Sequence, residues 1–359
     1  MAETFVSASL VHPGTYIRVN SEGLIGVRGV SVGNIAIVGE TDAGNAGTTR
    51  LLSSAAEAET HFGAAAVDAS GSSLNLTAQI GELYKNGART VYARGVTDNT
   101  AQADYTSAFN ELIKEDVQIL VAPDLATSAA LAVIPPIVES AETGQQDLIT
   151  VIGADGATAA DVQAQKQDND RVIVAAPGYH IFNPAAPDSP VALPGNYVAG
   201  PVAAMISSLA PHISPTNKQV MGITSLTQKF SYGERLALIG DRVMVLYDRS
   251  GTRVARGITS DSGGFTQVTT RRIVDFAKSG IRQVSDAFVG RLNNERVRAA
   301  LQGAIDGFLT SMKIDEQLTD YRLEVTATRR DEIEGRAVVN VLLQPTFSID
   351  FVAVTIVLQ

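Results

Sequence analysis

The fold of this chain is decided by three apolar segments: VQILVAPD (117–124), DLITVIGA (147–154) and RVIVAAPG (171–178). Each is a nearly continuous apolar run that ends at Gly, Pro or Asp, as strands buried on both faces do. The segments between them, ALAVIPPIVESAETG (130–144) and DGATAADVQAQKQDND (155–170), predict helices. This alternation predicts a doubly wound α/β domain with a parallel sheet, which we assign to residues 98–256.

The residues before this domain predict two further regions. The segments LIGVRGVSVGNIAIVGE (24–40) and ARTVYARGV (88–96) are rich in β-formers, and two short helical segments lie between them. We therefore predict a small α/β or β-sandwich-like domain over residues 25–97. Ahead of it, SLVHPGTYIRV (9–19) combines a Pro-Gly turn signal with alternating residues and predicts an extended arm over residues 1–24.

The residues after the parallel domain predict an α+β domain over 257–346. It would hold two helices, RRIVDFAKSGIRQVSDAFVG (271–290) and NNERVRAALQGAIDGFLTSMK (293–313), followed by the strands YRLEVTAT (321–328) and GRAVVNVLLQP (335–345). The second helix has one apolar stripe at helical spacing, formed by Val297, Leu301, Ile305, Phe308 and Met312. Just before this domain, the turn Arg249-Ser250-Gly251 follows an alternating strand and predicts a hairpin.

The composition excludes several classes of protein. The 359 residues contain no cysteine, so disulfide scaffolds, thiol nucleophiles and iron–sulfur clusters are excluded. The four histidines (His12, His61, His180 and His212) lie far apart, which argues against a metal site. The net charge of −10 disfavours nucleic acid as a partner. Because there is no signal-like N-terminus and no apolar run near membrane-spanning length, we expect a protein made in a cytoplasm and not inserted into a membrane.

Candidate catalytic residues are weak. Gly153-Ala154-Asp155-Gly156 follows a strand, but it lacks the further glycine and the Lys-Ser/Thr of a phosphate-binding loop, and its aspartate would repel phosphate. His180 or His212 could join a Ser-His-Asp triad, yet no GxSxG nucleophile elbow is present. The acidic residues near 315–320 do not fit a calcium loop. We therefore predict no enzyme activity, no metal and no cofactor.

The last thirteen residues, FSIDFVAVTIVLQ (347–359), are apolar on both faces of a strand. A strand of this kind at the end of a chain is an exposed edge unless it is paired. Two interpretations remain open: a central strand within this chain, or a strand added to a neighbouring subunit. The predicted N-terminal arm favours the second.

Charge is unevenly distributed along the chain. Residues 249–298 contain ten basic and four acidic side chains, a balance of +6 in a chain of net charge −10. Such a stretch predicts either a solvated helix face or a surface that meets an acidic partner. No aromatic residues interleave with the arginines as base stacking would require.

Seven segments together resemble the contractile tail sheath proteins of myophages, R-type pyocins and related injection machines. They are HPGTYIRV (12–19), GVRGVSVGNIAIVGETDAG (26–44), YKNGARTVYARGV (84–96), ILVAPD (119–124), LPGNYVAGPVA (193–203), RRIVDFAKSGI (271–281) and NNERVRAALQGAIDGFLTSM (293–312). They occur in the order and spacing typical of the family. Arg18 and Asn20 depart from its usual acidic position in the arm.

The resemblance implies a subunit with a β-sandwich-like first domain, a non-catalytic middle domain folded like subtilisin, and a C-terminal domain nearest an inner tube. It also implies that the residues 347–359 and the N-terminal arm exchange strands between subunits. The exchanging residues would be His12, Pro13, Gly14, Tyr16, Ile17, Val19, Phe351, Val352, Val354, Ile356, Val357 and Leu358. Our candidates for the tube-facing side are Arg271, Arg272, Arg282, Arg291, Arg296 and Arg298.

The function implied is a structural one. Hexameric rings would stack around the tube and contract from a metastable extended lattice, in a virion whose tail assembles in the host bacterial cytoplasm. The partners would be further copies of the chain, the inner tail tube protein, and the baseplate and tail terminator proteins. The competing hypotheses are an α/β enzyme of unknown substrate and a structural assembly protein that does not contract.

Overall fold

One eight-stranded sheet organises the larger of the two units into which the chain divides. The computed structural model describes residues 31–67, 72–183 and 188–357, and the large unit comprises 31–271 and 347–357 among them. The strands of this sheet are β1 (Ile35–Glu40), β2 (Thr49–Leu52), β3 (Val91–Val96), β4 (Ile119–Val121), β5 (Ile149–Gly153), β6 (Val172–Ala176), β10 (Val243–Asp248) and β11 (Thr252–Val254). Three short strands, β7 (Tyr179–Ile181), β8 (Val191–Leu193) and β9 (Ser225–Leu226), form a separate antiparallel sheet.

The central strands of the large sheet are parallel. Across the sheet the order is β11-β10-β6-β5-β4-β1-β3-β2, and only the two outermost strands, β2 and β11, pair antiparallel with their neighbours. β4 pairs with β5 at Ile119 and Ile149, and β5 pairs with β6 at Thr150 and Val172. Every residue of β4, β5 and β6 is buried. The parallel sheet predicted from the three apolar segments is therefore confirmed.

Helices cover both faces of the sheet. They are α1 (Ala55–Phe62), α2 (Leu76–Lys85), α3 (Gln102–Leu112), α4 (Thr127–Thr143), α5 (Ala159–Gln163), α6 (Ala199–Ser208) and α7 (Tyr232–Gly240). Alternate residues of β1 point to opposite faces: Ile35 and Ile37 pack with α1, α2 and α6, whereas Ala36 and Val38 pack with α3, α4, α5 and α7. This two-sided cover explains why the strands contain no polar face.

The structure differs from the predicted boundaries of the first two domains. We expected a separate domain over residues 25–97, but β1 pairs with β4 from Ile35 to Ile37, so β1, β2 and β3 lie in the same sheet as the strands of 98–256. The physical reason is that β1 is apolar on both faces and so must be covered on both. The large unit also extends to Arg271 rather than ending at residue 256.

The outer edge of β11 is already occupied by residues 217–220 of the same unit. Val220 N–H donates to the Thr252 carbonyl at 2.9 Å, and Val254 N–H donates to the Lys218 carbonyl at 3.0 Å. The hairpin that joins β10 to β11 is the predicted one, with Ser250 and Gly251 at positive φ in its turn. At this side, therefore, the sheet does not end in a row of free backbone groups.

A fully buried arginine lies just before β6. The Arg171 side chain is 1% exposed, and its Nε and Nη2 donate to the two carboxylate oxygens of Glu142 at 2.7 and 2.6 Å. Its Nη1 donates to the Leu148 carbonyl at 2.8 Å, and Nη2 lies 3.2 Å from the buried carboxylate of Asp147. This network connects the end of α4 and the start of β5 to β6.

The small unit contains residues 272–346 of the described chain. Its elements are most of α8 (Val268–Asp286), which begins in the large unit, and α9 (Glu295–Ile314), β12 (Leu318–Thr326), α10 (Arg329–Ile333) and β13 (Val338–Pro345). β12 and β13 form an antiparallel two-stranded sheet against which α9 packs. The predicted apolar stripe of α9 is buried at Leu301, Ile305, Phe308 and Met312. No helix in the described ranges is long and apolar enough to cross a membrane.

Candidate interaction surfaces

The C-terminal arm (residues 347–359, described to 357) exposes a row of large apolar side chains. Phe347, Ile349, Phe351, Val352, Val354, Ile356 and Val357 are between 61% and 82% exposed. The arm forms no strand within the described chain, although its sequence predicts one. Among the described residues, the arm therefore has no partner of the kind that a strand apolar on both faces requires. Leu358 lies outside the described residues, as do the N-terminal candidates from His12 to Val19.

The first part of the arm is held by the large unit through Asp350. The Asp350 carboxylate accepts hydrogen bonds from Arg256 Nε at 2.9 Å, Thr216 Oγ1 at 3.1 Å and Gln267 Nε2 at 3.2 Å. Its side chain is only 5% exposed. Since a buried carboxylate is costly without donors, these three side chains make its burial possible. We call Asp350 with Arg256, Thr216 and Gln267 the Asp350 clamp.

Two further contacts hold the residues on either side of Asp350. The Gln267 amide donates to the Ser348 carbonyl and accepts from the Ser348 N–H, both at 3.2 Å, so it pairs with the arm backbone as a strand residue would. The Arg256 guanidinium lies 5.1 Å from the centroid of the Phe351 ring, within cation–π distance. Within the described residues, no hydrogen bond involves Val352–Val357. In the described part of the chain, the contacts that hold the arm thus end at Phe351.

The hairpin of β12 and β13 offers free sheet edges. The two strands pair with each other from Tyr321 and Leu343 to Thr326 and Val338. In the described part of the chain no third strand pairs with either of them. Two-stranded sheets are marginally stable alone, and each outer edge carries unpaired backbone donors and acceptors. An edge of this kind is where an added strand pairs with a sheet, so within the described residues the hairpin is the candidate site for one.

The structure removes two residues from the predicted tube-facing set. Arg271 is 3% exposed: its Nη1 lies 2.6 Å from Asp170, and its guanidinium stacks 4.3 Å from the Phe265 ring. Arg272 is also buried, and burial lowers its pKa to about 10, an effect that Asp275 partly opposes. Arginines inside the subunit are not available to a partner surface. The basic run of 249–298 is therefore not one solvated stripe.

The other four candidates differ in their exposure. Arg291 and Arg296 are exposed, and the Arg291 guanidinium lies 5.0 Å from the Phe288 ring. Arg298 is half-buried and donates to Glu332 and Asn293 at 3.0 and 2.9 Å. Arg282 is half-buried in α8. Arg291 and Arg296 are thus the candidates still available for an acidic partner.

The sequence did not single out a basic pocket beside the β10–β11 hairpin. This surface pocket has a volume of about 310 Å³ and is lined by Asn217, Arg249, Ser250 and Arg253. Arg253 donates to the carbonyls of Arg249 and Asn217, at 3.1 and 2.7 Å, and within the residues that the structure describes it donates to no carboxylate. In the sequence, the turn at 249–251 with arginines on both sides was the signal that could have indicated this pocket.

The catalytic candidates do not assemble into a reactive site. Ser225 Oγ lies 3.1 Å from His180 Nδ1, but the two face each other as a cross-strand pair, and no carboxylate in the described residues bonds to this histidine. A Cβ at Gly153 would lie 2.1 Å from the Gly195 carbonyl, so the 153–156 turn is filled by protein and has no space for a phosphate. Across the described ranges, no three acidic or histidine side chains are grouped to hold a metal.

A buried carboxylate that sequence reasoning missed lies at the carboxyl ends of β1 and β4. Asp124 accepts from the Glu40 N–H at 2.6 Å and from the Tyr105 hydroxyl at 2.8 Å, and burial raises its pKa. β1 lies between β3 and β4, so this is the switch point at which open α/β sheets bind ligands. Here the space beside Gly39 is filled by Leu76, Gln79 and Asp124 itself. Asp124 therefore joins β1, β4 and α3 and lines no cleft.

Comparison with known proteins points to one family. The phage tail sheath protein central domain matches residues 98–260, and the phage tail sheath C-terminal domain matches residues 260–359. No curated protein sequence matches the chain.

Several solved structures have a similar fold. The helical sheath of the anti-feeding prophage in its contracted state is 16% identical, with a TM-score of 0.75 over 96% of this chain and 98% of that chain. The PVC sheath complex of an extracellular contractile injection system, also contracted, is 16% identical, with a TM-score of 0.73 over 99% and 98%. The sheath tail protein of Listeria innocua is 12% identical, with a TM-score of 0.70 over 90% and 94%. At such identities these likenesses show a shared fold.

Proposed function

Because this chain belongs to the phage tail sheath protein family, we propose that it is a subunit of a contractile sheath whose copies are linked by exchange of terminal strands. The observation that carries the proposal is the C-terminal arm. Burying one large apolar side chain stabilises by about 1.5 to 3 kcal/mol. Seven of them are exposed in the arm, so a paired arm could gain roughly 10 kcal/mol before the cost of ordering its backbone.

The β12–β13 hairpin is our proposed acceptor of the arm. An added strand would supply the hydrogen bonds that the outer edges lack, and the apolar side chains of the arm would set its register. The N-terminal segment around Pro13 and Tyr16 is the proposed second donor, and it lies outside the described residues. A hairpin with strands added on both edges would become a four-stranded sheet made from several chains.

Linked subunits of this kind could rotate and repack without separating. We propose that rings of six stack around an inner tube and that contraction is the relaxation of a metastable extended lattice, with free energy stored at interfaces. The further partners would be baseplate and tail terminator proteins, and assembly would take place in the host bacterial cytoplasm. The sheath structures of the anti-feeding prophage and PVC systems support the arrangement by analogy of fold.

We also propose that the chain is not an enzyme. The parallel strands of residues 98–256 support a subtilisin-like arrangement in that region without the catalytic residues of a protease. His180 pairs with Ser225 across two neighbouring strands, and no carboxylate in the described residues bonds to this histidine as the third member of a protease triad would. Family membership in a structural protein class agrees with this proposal.

Negative-stain electron microscopy of the purified chain tests the proposed function. The full chain should form hollow tubes, alone or around added inner tube protein. A chain that stops after Phe351 keeps the Asp350 clamp but loses the free part of the arm, and it should remain folded and dispersed. Dispersed full-length protein in both conditions would refute the sheath proposal, and tubes from both chains would refute strand exchange through this arm.

A further inference from the structure

We propose that the Asp350 clamp is the mechanical anchor of the C-terminal arm, so that load carried by an exchanged strand enters the large unit of the donor subunit. This inference rests on the proposed strand exchange. The clamp holds the first residues of the arm, up to Phe351, whereas a neighbouring subunit would bind the residues that follow. It assigns positioning roles to Asp350, Arg256, Thr216 and Gln267.

The path of the chain is the first observation. The polypeptide leaves the large unit after Arg271, forms the small unit over residues 272–346, and contributes residues 347–357 to the large unit again. Without the clamp, the arm would be connected to the large unit only through the whole of the small unit. With the clamp, tension on Val352 reaches the large-unit residues Arg256 and Gln267 directly.

The placement of a single charge is the second observation. Asp350 is the only ionisable residue of 347–359, a segment otherwise suited to burial in a sheet. A carboxylate there would oppose strand pairing unless it had its own site. The structure gives it one, with three donors within 3.2 Å from three separate positions of the large unit. Charged groups that are both buried and fully bonded are hard to remove from their partners.

The third observation is the sharp boundary beyond Phe351. The clamp and the Arg256–Phe351 contact end there, and the six residues Val352–Val357 are exposed. At about 3.4 Å per residue, the eight residues that follow Phe351 in the sequence reach roughly 27 Å when extended. Releasing the clamp would free residues 347–351 and add roughly 17 Å of slack. The clamp therefore sets how far apart two linked subunits can move before the tether is taut.

The test uses the full-length chain with three sets of variants. Asp350→Ala and Arg256→Met each break the clamp, and the double variant Asp350→Arg with Arg256→Asp restores an ion pair of reversed polarity. Glu111→Gln is the matched control, because it removes a carboxylate of α3 from an exposed ion pair with Lys114, away from the arm and from the β12–β13 hairpin. Circular dichroism and thermal unfolding first establish that each variant is folded.

The first readout measures how tightly the arm is held in the dispersed, unassembled protein. In the dispersed chain we expect hydrogen exchange at the Ser348 amide, and chymotrypsin cleavage after Phe347, to accelerate at least about tenfold in the two clamp-breaking variants. The reversed pair should recover most of the protection, and Glu111→Gln should match the parent chain. Parent-like rates in both clamp-breaking variants would overturn the proposal.

The second readout measures how well assembled tubes resist mechanical shear. Tubes of the clamp-breaking variants should form, since the free part of the arm is unchanged, but they should fragment under a controlled shear that parent tubes survive. Variant tubes that withstand shear like the parent would overturn the anchor role. If the parent chain forms no tubes even with inner tube protein, the sheath function fails instead. The exchange and cleavage data would then show separately whether the clamp holds the arm.

Discussion

Polar substitution of one face of the C-terminal arm should greatly raise the protein concentration needed for assembly without weakening the subunit. Val352, Val354 and Ile356 share one face of an extended arm and are 80%, 75% and 81% exposed. Because they contact little in the isolated chain, changing all three to serine removes almost nothing from its own stability. In a sheath, each would be buried against a neighbour.

The expected loss follows from those exposures. Full burial of a valine or isoleucine side chain stabilises by about 1.5 to 2 kcal/mol, and about four-fifths of each side chain remains to be buried. In the proposed strand exchange, burying the three together would therefore contribute about 4 kcal/mol to each subunit contact. At 1.4 kcal/mol for each factor of ten, the critical concentration for tube formation should rise by about a thousandfold.

Sedimentation of tubes across a protein dilution series measures the critical concentration, and differential scanning calorimetry measures subunit stability. Thr355→Ser, in the same arm but on the opposite face, is the matched control and should leave both values unchanged. A triple variant that assembles at the parent concentration would refute the reasoning. So would a lowered unfolding temperature of the dispersed triple variant, because it would mean that the arm packs on its own subunit.

Three other predictions concern the subunit itself and its partner surface. Arg171→Met removes the buried guanidinium that lies 3.2 Å from the Asp147 carboxylate and should lower the free energy of unfolding by about 3 to 5 kcal/mol in urea titrations, with Asp147→Asn in the same chain recovering part of the loss. Burial raises the pKa of Asp124 above its unfolded value of 3.8. The protonated side chain therefore stabilises the fold fully below pH 3.8, and this stabilisation is lost as the pH rises through the folded pKa. In unfolding curves measured at successive pH values, Asp124→Asn should reduce the fall in the free energy of unfolding with rising pH. Changing the exposed Arg291 and Arg296 to glutamate should reduce assembly on added inner tube, as measured by co-sedimentation, and leave the unfolding temperature unchanged.

The sequence predicted those parts of the fold in which one physical signal dominates. Strands buried on both faces must be continuously apolar, so β4, β5 and β6 could be recognised as a parallel set. The stripe of α9 was predictable because 3.6-residue spacing places its members on one face. The membership of β1 in the same sheet was harder to predict, since pairing between residues 35 and 119 depends on contacts that are distant in sequence.

The interaction surfaces were predictable only in part. The arm followed from its two apolar faces, but its clamp depends on Thr216, Arg256 and Gln267, whose approach to Asp350 no local pattern encodes. The lone aspartate in an apolar segment was the available signal. The basic residues of 249–298 were predicted to be exposed, but net charge along a sequence does not distinguish a solvated arginine from a buried one. Arg271, for example, is buried beside Asp170.

The covered edge of β11 has a consequence for how the protein behaves at high concentration. A chain that displays an adhesive strand could join any open sheet it meets, including that of an identical molecule in the wrong orientation. Residues 217–220 of the same subunit form hydrogen bonds with the outer backbone groups of β11, so the arm of another molecule cannot pair with that edge. The strand at the opposite edge, β2, is only four residues long and offers few backbone hydrogen bonds to a strand from another molecule. We therefore expect crowded subunits to form fewer disordered aggregates through the edges of the large sheet, so that the arm remains available to pair with its proposed acceptor.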